Sequence, residues 1–430
     1  MTTSQVASLF LALAAVLVLA RLLGAAARAI GQPAVLGEIL SGILVGPTLF
    51  HGAVSHLLFP VGVQPFLTAL ADLGLALFMF LTGAELEHAV VRAQGRAAVG
   101  VAAGSVLLPL GLGCLLATDL FQHHRVGSEA AFVLFLGAAM SVTAFPVLAR
   151  ILGDRGMQYT RIGGTALAAA ALADVAAWLL LAAVVMVSGG PAQWRLLLLP
   201  VYLLVLIGAV RPLLRRLVTA RRATVTGADP ALLAVVLGGL MLSCWATEWM
   251  GLQFIFGAFL FGAVLPRGTS GQAPEAVLKG LGSIGVVFLL PVFFVIAGLK
   301  VNLSHLGGES LGELALILLT AVAGKALGAF AGARLQGLPT QEARTMATLM
   351  NARGLTELVI LSVGLQLGVL DQSLYSLMVV MAVLTTFMTG PILRLVHPDA
   401  RTEEELRPAS EAEHADGLTA AGAGRTAPGA

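Results

Sequence analysis

The sequence predicts an all-α polytopic membrane protein of about thirteen transmembrane helices, built as two inverted-topology repeats. Three observations lead to that reading. Of the 430 residues, 58% are hydrophobic and 11% charged, and mean hydropathy is +0.94, a composition foreign to water-soluble domains. Apolar runs long enough to cross a bilayer recur along the chain with short polar connectors between them. Pieces of the first half also reappear, in order, in the second.

Taken in order, the spans are expected at 4–28, 33–50, 66–86, 93–118, 129–152, 159–187, 194–216, 230–248, 251–266, 277–299, 311–335, 343–368 and 373–396. The start, MTTSQVASLF, lacks the basic n-region of a signal peptide and runs directly into an apolar segment, so it reads as a retained first helix. Lysine and arginine test the count. With the N-terminus outside, the inward loops and tail hold twenty of the 25 basic residues, against Arg125, Arg195 and Lys300 in the outward loops. The remaining two, Lys325 and Arg353, lie well inside spans rather than near a loop. That bias places the N-terminus outside, the C-terminus in the cytoplasm and an odd number of spans between, in an inner (cytoplasmic) membrane, with the alanine-, glycine- and arginine-rich composition suggesting a bacterial source.

The expected organisation is a transmembrane domain over 1–398, with repeat one at about 4–187, a linker helix at 194–216 and repeat two at about 230–396. The segment 399–430 is acidic and poor in apolar anchors, and reads as a disordered cytoplasmic tail. Cys114 and Cys244 lie inside apolar runs and read as packed residues rather than a disulfide or metal pair. No metalloprotease, phosphate-loop or nucleophile-elbow pattern occurs, so neither an enzyme nor a cofactor is expected, and the lipid bilayer rather than nucleic acid is the surrounding partner.

The repeat is legible in its glycines. Gly37 and Gly42 of GEILSGILVGP correspond to Gly257 and Gly262 of GAFLFGAVLP at a shift of 220. Gly83 and Glu85 of FMFLTGAELE correspond to Gly298 and Lys300 of VFFVIAGLKVN at 215, and Ser141 corresponds to Asn351 at 210. Each pair joins a span to the one seven later. Seven is odd, so the second copy is inverted, the arrangement found in many secondary transporters.

Asp174 dominates the candidate site. It is the single formal charge within ALAAAALADVAAWLL, residues 166–180, close to the membrane midplane. A carboxylate there marks an ion or proton path, or else is held neutral or salt-bridged for structure. In SVTAFPVLARIL, Pro146 disrupts helical hydrogen bonding while Ser141 and Thr143 supply hydroxyls beside the break. The equivalent LMNARGLTELVIL carries Asn351, Gly354 and Thr356, with Arg353 and Glu357 four apart on one face. Broken backbone survives in lipid only where it is buried in protein or lines a wet cavity. Lys325, in AVAGKALGAF, is the one lysine near the middle of a span, and Asp174 is its candidate partner. Glu38, Asp72, Glu85 and Lys300 sit nearer span ends as structural or pathway residues, and His123 and His124 lie in an outward loop where they could respond to external pH.

At these residues the chain resembles a known family. QPAVLGEILSGILVGP, FMFLTGAELE, SVTAFPVLARIL, ADVAAW, FFVIAGLKVN, GKALG and NARGLTELVIL look like the monovalent cation:proton antiporters that include Kef-type potassium-efflux systems, plant cation/proton exchangers and sodium/proton exchangers, from about Gly31 to Pro391. The resemblance implies a thirteen-helix sodium/proton antiporter-like fold with a dimerisation part and a mobile core, in which two broken helices cross beside a carboxylate. It carries the binding of a proton or a monovalent cation, Na+ or K+, onto Asp174, the backbone-and-hydroxyl site onto Ser141 and Thr143, and the buried basic role onto Lys325. It implies a homodimer exchanging cation for proton. One departure is plain: relatives often carry Asn-Asp or Asp-Asp where this chain has Ala173-Asp174, which bears on stoichiometry and affinity. A proton-coupled exporter of an organic ion, or a sensor or channel-like protein on the same fold, is the alternative.

Overall fold

The computed structural model describes residues 2–398 apart from 48–51, 92–94, 125–126, 158–159, 189–194, 196–197, 221–229, 267–277, 279, 283–284 and 305–307. The expected tail at 399–430 lies outside the described residues. Among the described residues every regular element is helical, and eight helices are long and apolar enough to cross a membrane, with four shorter apolar helices between them. The protein is a multi-pass membrane protein.

The first repeat opens with α1 (Thr3–Ala29), whose start is fixed by a capping box: the Thr2 hydroxyl accepts from the Gln5 N–H at 3.3 Å, and the Gln5 side chain accepts from the Thr2 N–H at 2.8 Å. There follow α2 (Ala34–Val45), α3 (Ala53–Leu58), α4 (Gln64–Val91) and α5 (Gly95–Leu120). The expected span 129–152 is two half-helices, α6 (Glu129–Ser141) and α7 (Phe145–Asp154), and α8 (Arg161–Val187) closes the repeat behind a Thr160 cap. The linker is a rod of α9 (Leu199–Val205), one π-helical turn and α10 (Arg211–Ala220). The second repeat runs through α11 (Pro230–Trp249), α12 (Phe254–Ala263), α13 (Leu290–Leu299, entered through a π-helical turn) and α14 (Gly308–Leu335). Here too a span is split, into α15 (Thr340–Leu349) and α16 (Leu355–Gln366), before α17 (Gln372–Val396).

Two bundles result. In one, α1, α2, α4, α11, α12 and α13 pack together; in the other, α5 and α14 form the spine that α6, α8, α15 and α17 surround. Glycines set the first bundle. A side chain on Gly42 of α2 would strike the Val295 carbonyl and the Gly298 backbone of α13, and one on Gly298 would strike the Ile39 carbonyl and Gly42. The inverted counterparts repeat this contact: Gly262 of α12 abuts the Phe80 carbonyl of α4, and Gly83 abuts the Phe259 carbonyl. Small residues let helix backbones approach where lipid offers no hydrophobic drive for association. The glycine correspondence seen in the sequence is therefore a pair of symmetry-related helix contacts. The same shift of 220 relates α1 to α11, since Gly37 packs on Leu23 as Gly257 packs on Ser243.

Candidate functional site

The two broken helices cross within the second bundle. The first opens at Val142–Ala144 and the second at Met350–Gly354, and each gap satisfies the other: the Ala144 N–H donates to the Ala352 carbonyl at 3.1 Å, and the Thr143 hydroxyl donates to the Met350 carbonyl at 3.3 Å. Buried backbone polar groups need such partners. Gly354 lets the second gap pass α7, because a side chain there would run into Val147.

Pro146 does not make the first break. It sits in the first turn of α7, where a missing N–H costs nothing because that donor has no helical acceptor. The gap precedes it and is held by tertiary hydrogen bonds. Ser141 also differs from expectation. Its hydroxyl folds back onto the Ala138 carbonyl at 2.7 Å, and its backbone carbonyl is the group that takes part in the crossing.

Two fully buried basic side chains converge on the C-terminal end of α6. Lys325 Nζ donates to the Ser141 carbonyl at 2.5 Å and to the Thr143 hydroxyl. Arg353 donates to the Ala139 carbonyl at 3.2 Å and the Met140 carbonyl at 2.7 Å, and pairs at 2.8 Å with Glu357, itself fully buried in the first turn of α16. A helix C-terminus carries the negative end of its dipole, so cations belong there. Thr386 of α17 clamps the opposite gap: its hydroxyl accepts from the Arg353 N–H at 3.2 Å and lies 2.7 Å from the Arg353 carbonyl. No local pattern marks Thr386, and the sequence reading missed it.

Asp174 lies in α8 with 3% exposure, and neither carboxylate oxygen has a hydrogen-bond donor among the described residues. The Phe145 N–H, at the start of α7, and the Lys325 ammonium act on it electrostatically, the first without reaching hydrogen-bond geometry and the second without forming an ion pair within 4.0 Å. The expected Asp174–Lys325 partnership is thus one of proximity, and the lysine spends its donors on α6. One turn on, Trp178 packs on Phe256 and Phe259 of α12, with ring centroids 5.8 and 6.5 Å away, which joins the site helix to the first bundle. Asn351 and Thr356 are buried at the second break, and the Asn351 side-chain oxygen has no partner among the described residues. Asp72 and Lys300 line a cavity of about 30 Å³ between the bundles, Glu38 stands in α2 within reach of Arg21, Arg28 and Arg150, and the Glu85 side chain lies outside the described residues.

The chain matches the family described as "Sodium/hydrogen exchanger, transmembrane" over residues 13–396. It is 37% identical over 391 residues to the Na(+)/H(+) antiporter NhaS4 of Synechocystis, covering 88% of this chain and 95% of that protein. It is 33% identical over 420 residues to cation/H(+) antiporter 20 of Arabidopsis thaliana and 32% over 416 residues to K(+)/H(+) antiporter 1 of Saccharomyces cerevisiae. Against those two it covers 93% and 92% of its own length but spans only about half of theirs (50% and 47%). The electron-microscopy structure of the sodium proton antiporter MjNhaP1 from Methanocaldococcus jannaschii superposes with a TM-score of 0.64 at 17% identity, over 92% of this chain and 96% of that one, which shows the shared fold. On the match across its membrane portion, the chain belongs to the sodium/hydrogen exchanger transmembrane family.

Proposed function

We propose that the protein is a secondary active transporter that exchanges a monovalent cation, Na+ or K+, for protons by alternating access, with Asp174 as the group that carries either. The observation that bears most weight is the Asp174 carboxylate itself: buried at mid-span, without a protein donor among the described residues, and set against the positive start of a half-helix. A bare charge cannot cross the apolar barrier, so the site moves only when a proton or a cation neutralises it. Competition for one carboxylate plus obligatory occupancy gives exchange with no covalent chemistry.

The other site residues act through the broken helices. Ser141, Thr143 and Asn351 line the crossing, Lys325 and Arg353 neutralise the end of α6, and Glu357 balances Arg353. Pro146, Gly354 and Thr356 shape the half-helix starts. If Lys325, bonded at the end of α6, keeps its proton throughout, ion and proton compete at Asp174 alone and exchange is one for one; if it releases its proton on cation binding, exchange moves net charge. The one-for-one case agrees with a pair, Ala173-Asp174, that holds a single carboxylate.

In this reading thirteen spans place the N-terminus outside and the C-terminal tail in the cytoplasm of a bacterial inner membrane, and the chain works as a homodimer. The exposed apolar side chains Phe10, Leu22, Leu204 and Ile207 give α1 and the α9–α10 rod a surface suited to lipid and to a second copy. The test is direct. Purified protein in vesicles with an internal pH dye and an acid interior should alkalinise the lumen on addition of sodium, potassium or lithium, in an order that ranks the ions. Asp174→Asn should remove the response while keeping the elution profile and thermal midpoint. A mutant with normal cation-dependent proton flux contradicts the site.

A further inference from the structure

Where the two bundles meet, on the face assigned above to the cytoplasm, a cavity of about 320 Å³ opens between the end of α1, the start of α2, α7 and the end of α17. That volume falls within the range of small-molecule sites. Arg28, Arg150, Arg155 and Arg394 line it, and no carboxylate is among the described lining residues. Glu38 acts on Arg28 and Arg150 from one turn into α2. Helix C-termini favour cations, which explains the residue type of Arg28 and Arg394 in the last turns of α1 and α17. It does not explain four guanidiniums round one hollow.

The wall is also built. Gly31, with φ of +74°, leaves room for the Arg394 guanidinium, which a side chain there would displace. Arg155 is anchored by an Nη2 bond to the Gly390 carbonyl at 3.0 Å. Gln32, 94% buried on the cavity wall, donates to the Phe387 carbonyl at 3.2 Å, while its side-chain oxygen has no donor among the described residues. Guanidiniums bind phosphate oxygens with paired hydrogen bonds. An orphaned acceptor beside them suits a hydroxyl on the same ligand.

We propose that this cavity binds a phosphate-bearing anion with an adjacent hydroxyl group, and that the bound anion bridges the two bundles. Anionic lipid headgroups at the cytoplasmic surface and soluble phosphates share that chemistry. Since α7 continues one of the broken helices while α1 and α2 belong to the other bundle, an occupied cavity ties the site-bearing bundle to its neighbour. The binding claim stands on the cavity; its effect on exchange rests on the alternating-access reading.

The experiment uses delipidated full-length protein, measuring the thermal midpoint with phosphatidylglycerol, phosphatidylcholine or inorganic pyrophosphate added. Phosphatidylglycerol or pyrophosphate should raise the midpoint and phosphatidylcholine should not. A rise with the first alone assigns a lipid, and a rise with the second alone assigns a soluble anion. Arg150→Gln/Arg394→Gln should weaken apparent affinity at least tenfold, and Gln32→Leu, which keeps every charge, several-fold. No rise with either anionic probe, or rises unchanged in both variants, overturns the proposal. Cation-dependent flux is then compared in phosphatidylglycerol and phosphatidylcholine vesicles. If binding holds but exchange is absent throughout, the antiport reading fails and this one does not.

Discussion

The two broken helices are equivalents under the inverted repeat, yet their exposed ends are satisfied in opposite ways. The carbonyls that end α6 are met by two buried basic side chains, Lys325 and Arg353, both contributed by the second repeat. The gap after α15 is met by neutral donors, the Thr143 hydroxyl and the Ala144 N–H, contributed by the first. The backbone obeys the symmetry and the charges break it. With Arg353 paired to Glu357, Asp174 is the carboxylate that the proposed exchange leaves for a mobile ion. A symmetric distribution of charge would have left two candidate sites.

Arg353 is where that asymmetry is most costly to disturb. Arg353→Met leaves Glu357 buried without its cation and strips donors from Ala139 and Met140, so a loss of about 3–5 kcal/mol is expected. Thermal unfolding in detergent checks it, and Arg353→Met/Glu357→Leu should recover part of the loss, since the unpaired charge goes too. Equal instability of the single and double variants would show that the α6 carbonyls, not the ion pair, set the cost.

Lys325→Met removes the other basic side chain. Here about 1–3 kcal/mol is expected, together with slowed but persistent exchange, because Asp174 remains. If Lys325→Met abolished exchange as fully as Asp174→Asn, the lysine would belong to the transported site, and charge balance during exchange would need to be redrawn.

On the opposite face of the membrane a third contact joins the repeats by titratable groups. His124, in the loop after α5, bonds Asp371 at 2.7 Å and Glu313 at 3.3 Å, with His123 4.0 Å from Glu313. The hydrogen bond to Asp371 raises the His124 imidazole above its ordinary value against the opposing effect of burial, with Glu313 adding to the rise. Burial raises the Asp371 carboxyl, but the His124 and Leu374 hydrogen bonds outweigh it and hold it low. For a raised histidine, the stabilisation is complete below its ordinary value of 6.5 and is lost as pH rises through the folded value. For the lowered Asp371 it is present above 3.8 and lost as pH falls through the folded value. The clasp should therefore be firmest in mildly acidic solution. Hydrogen exchange at the start of α17 should increase above neutral pH by an opening of about 1 kcal/mol, and His124→Gln should flatten that dependence.

The smallest effect is expected at Pro146. Standing in the first turn of α7 rather than at the gap, Pro146→Ala should change stability by less than about 1 kcal/mol and leave exchange intact. A large loss would return the break to the proline.

These contrasts also show what the sequence could reveal. Spans, inward bias and glycine correspondences are local or periodic features, so most spanning helices and the pairing of Gly42 with Gly262 and Gly83 with Gly298 were legible in the chain, whereas α3 and the contacts those glycines make were not. Asp174 was legible because a charge within an alanine run must be explained. The partners of Lys325 and Arg353 were not. They lie 184 and 213–214 residues away and are backbone carbonyls, which every residue possesses, so no residue type marks them. Pro146 misled for the complementary reason: a proline signals a missing N–H, and only the fold shows whether that N–H was needed.

In the proposed exchange proton and cation compete for Asp174, and that competition is read from the pH dependence of the cation's apparent KM. Vesicle flux measured over a range of cation concentrations should give a KM that rises about tenfold per pH unit below the carboxylate's titration, at constant maximal rate, since the cation binds only the deprotonated form. A KM independent of pH, with the maximal rate falling instead, would mean that proton and cation bind different groups and that Asp174 is not shared between them.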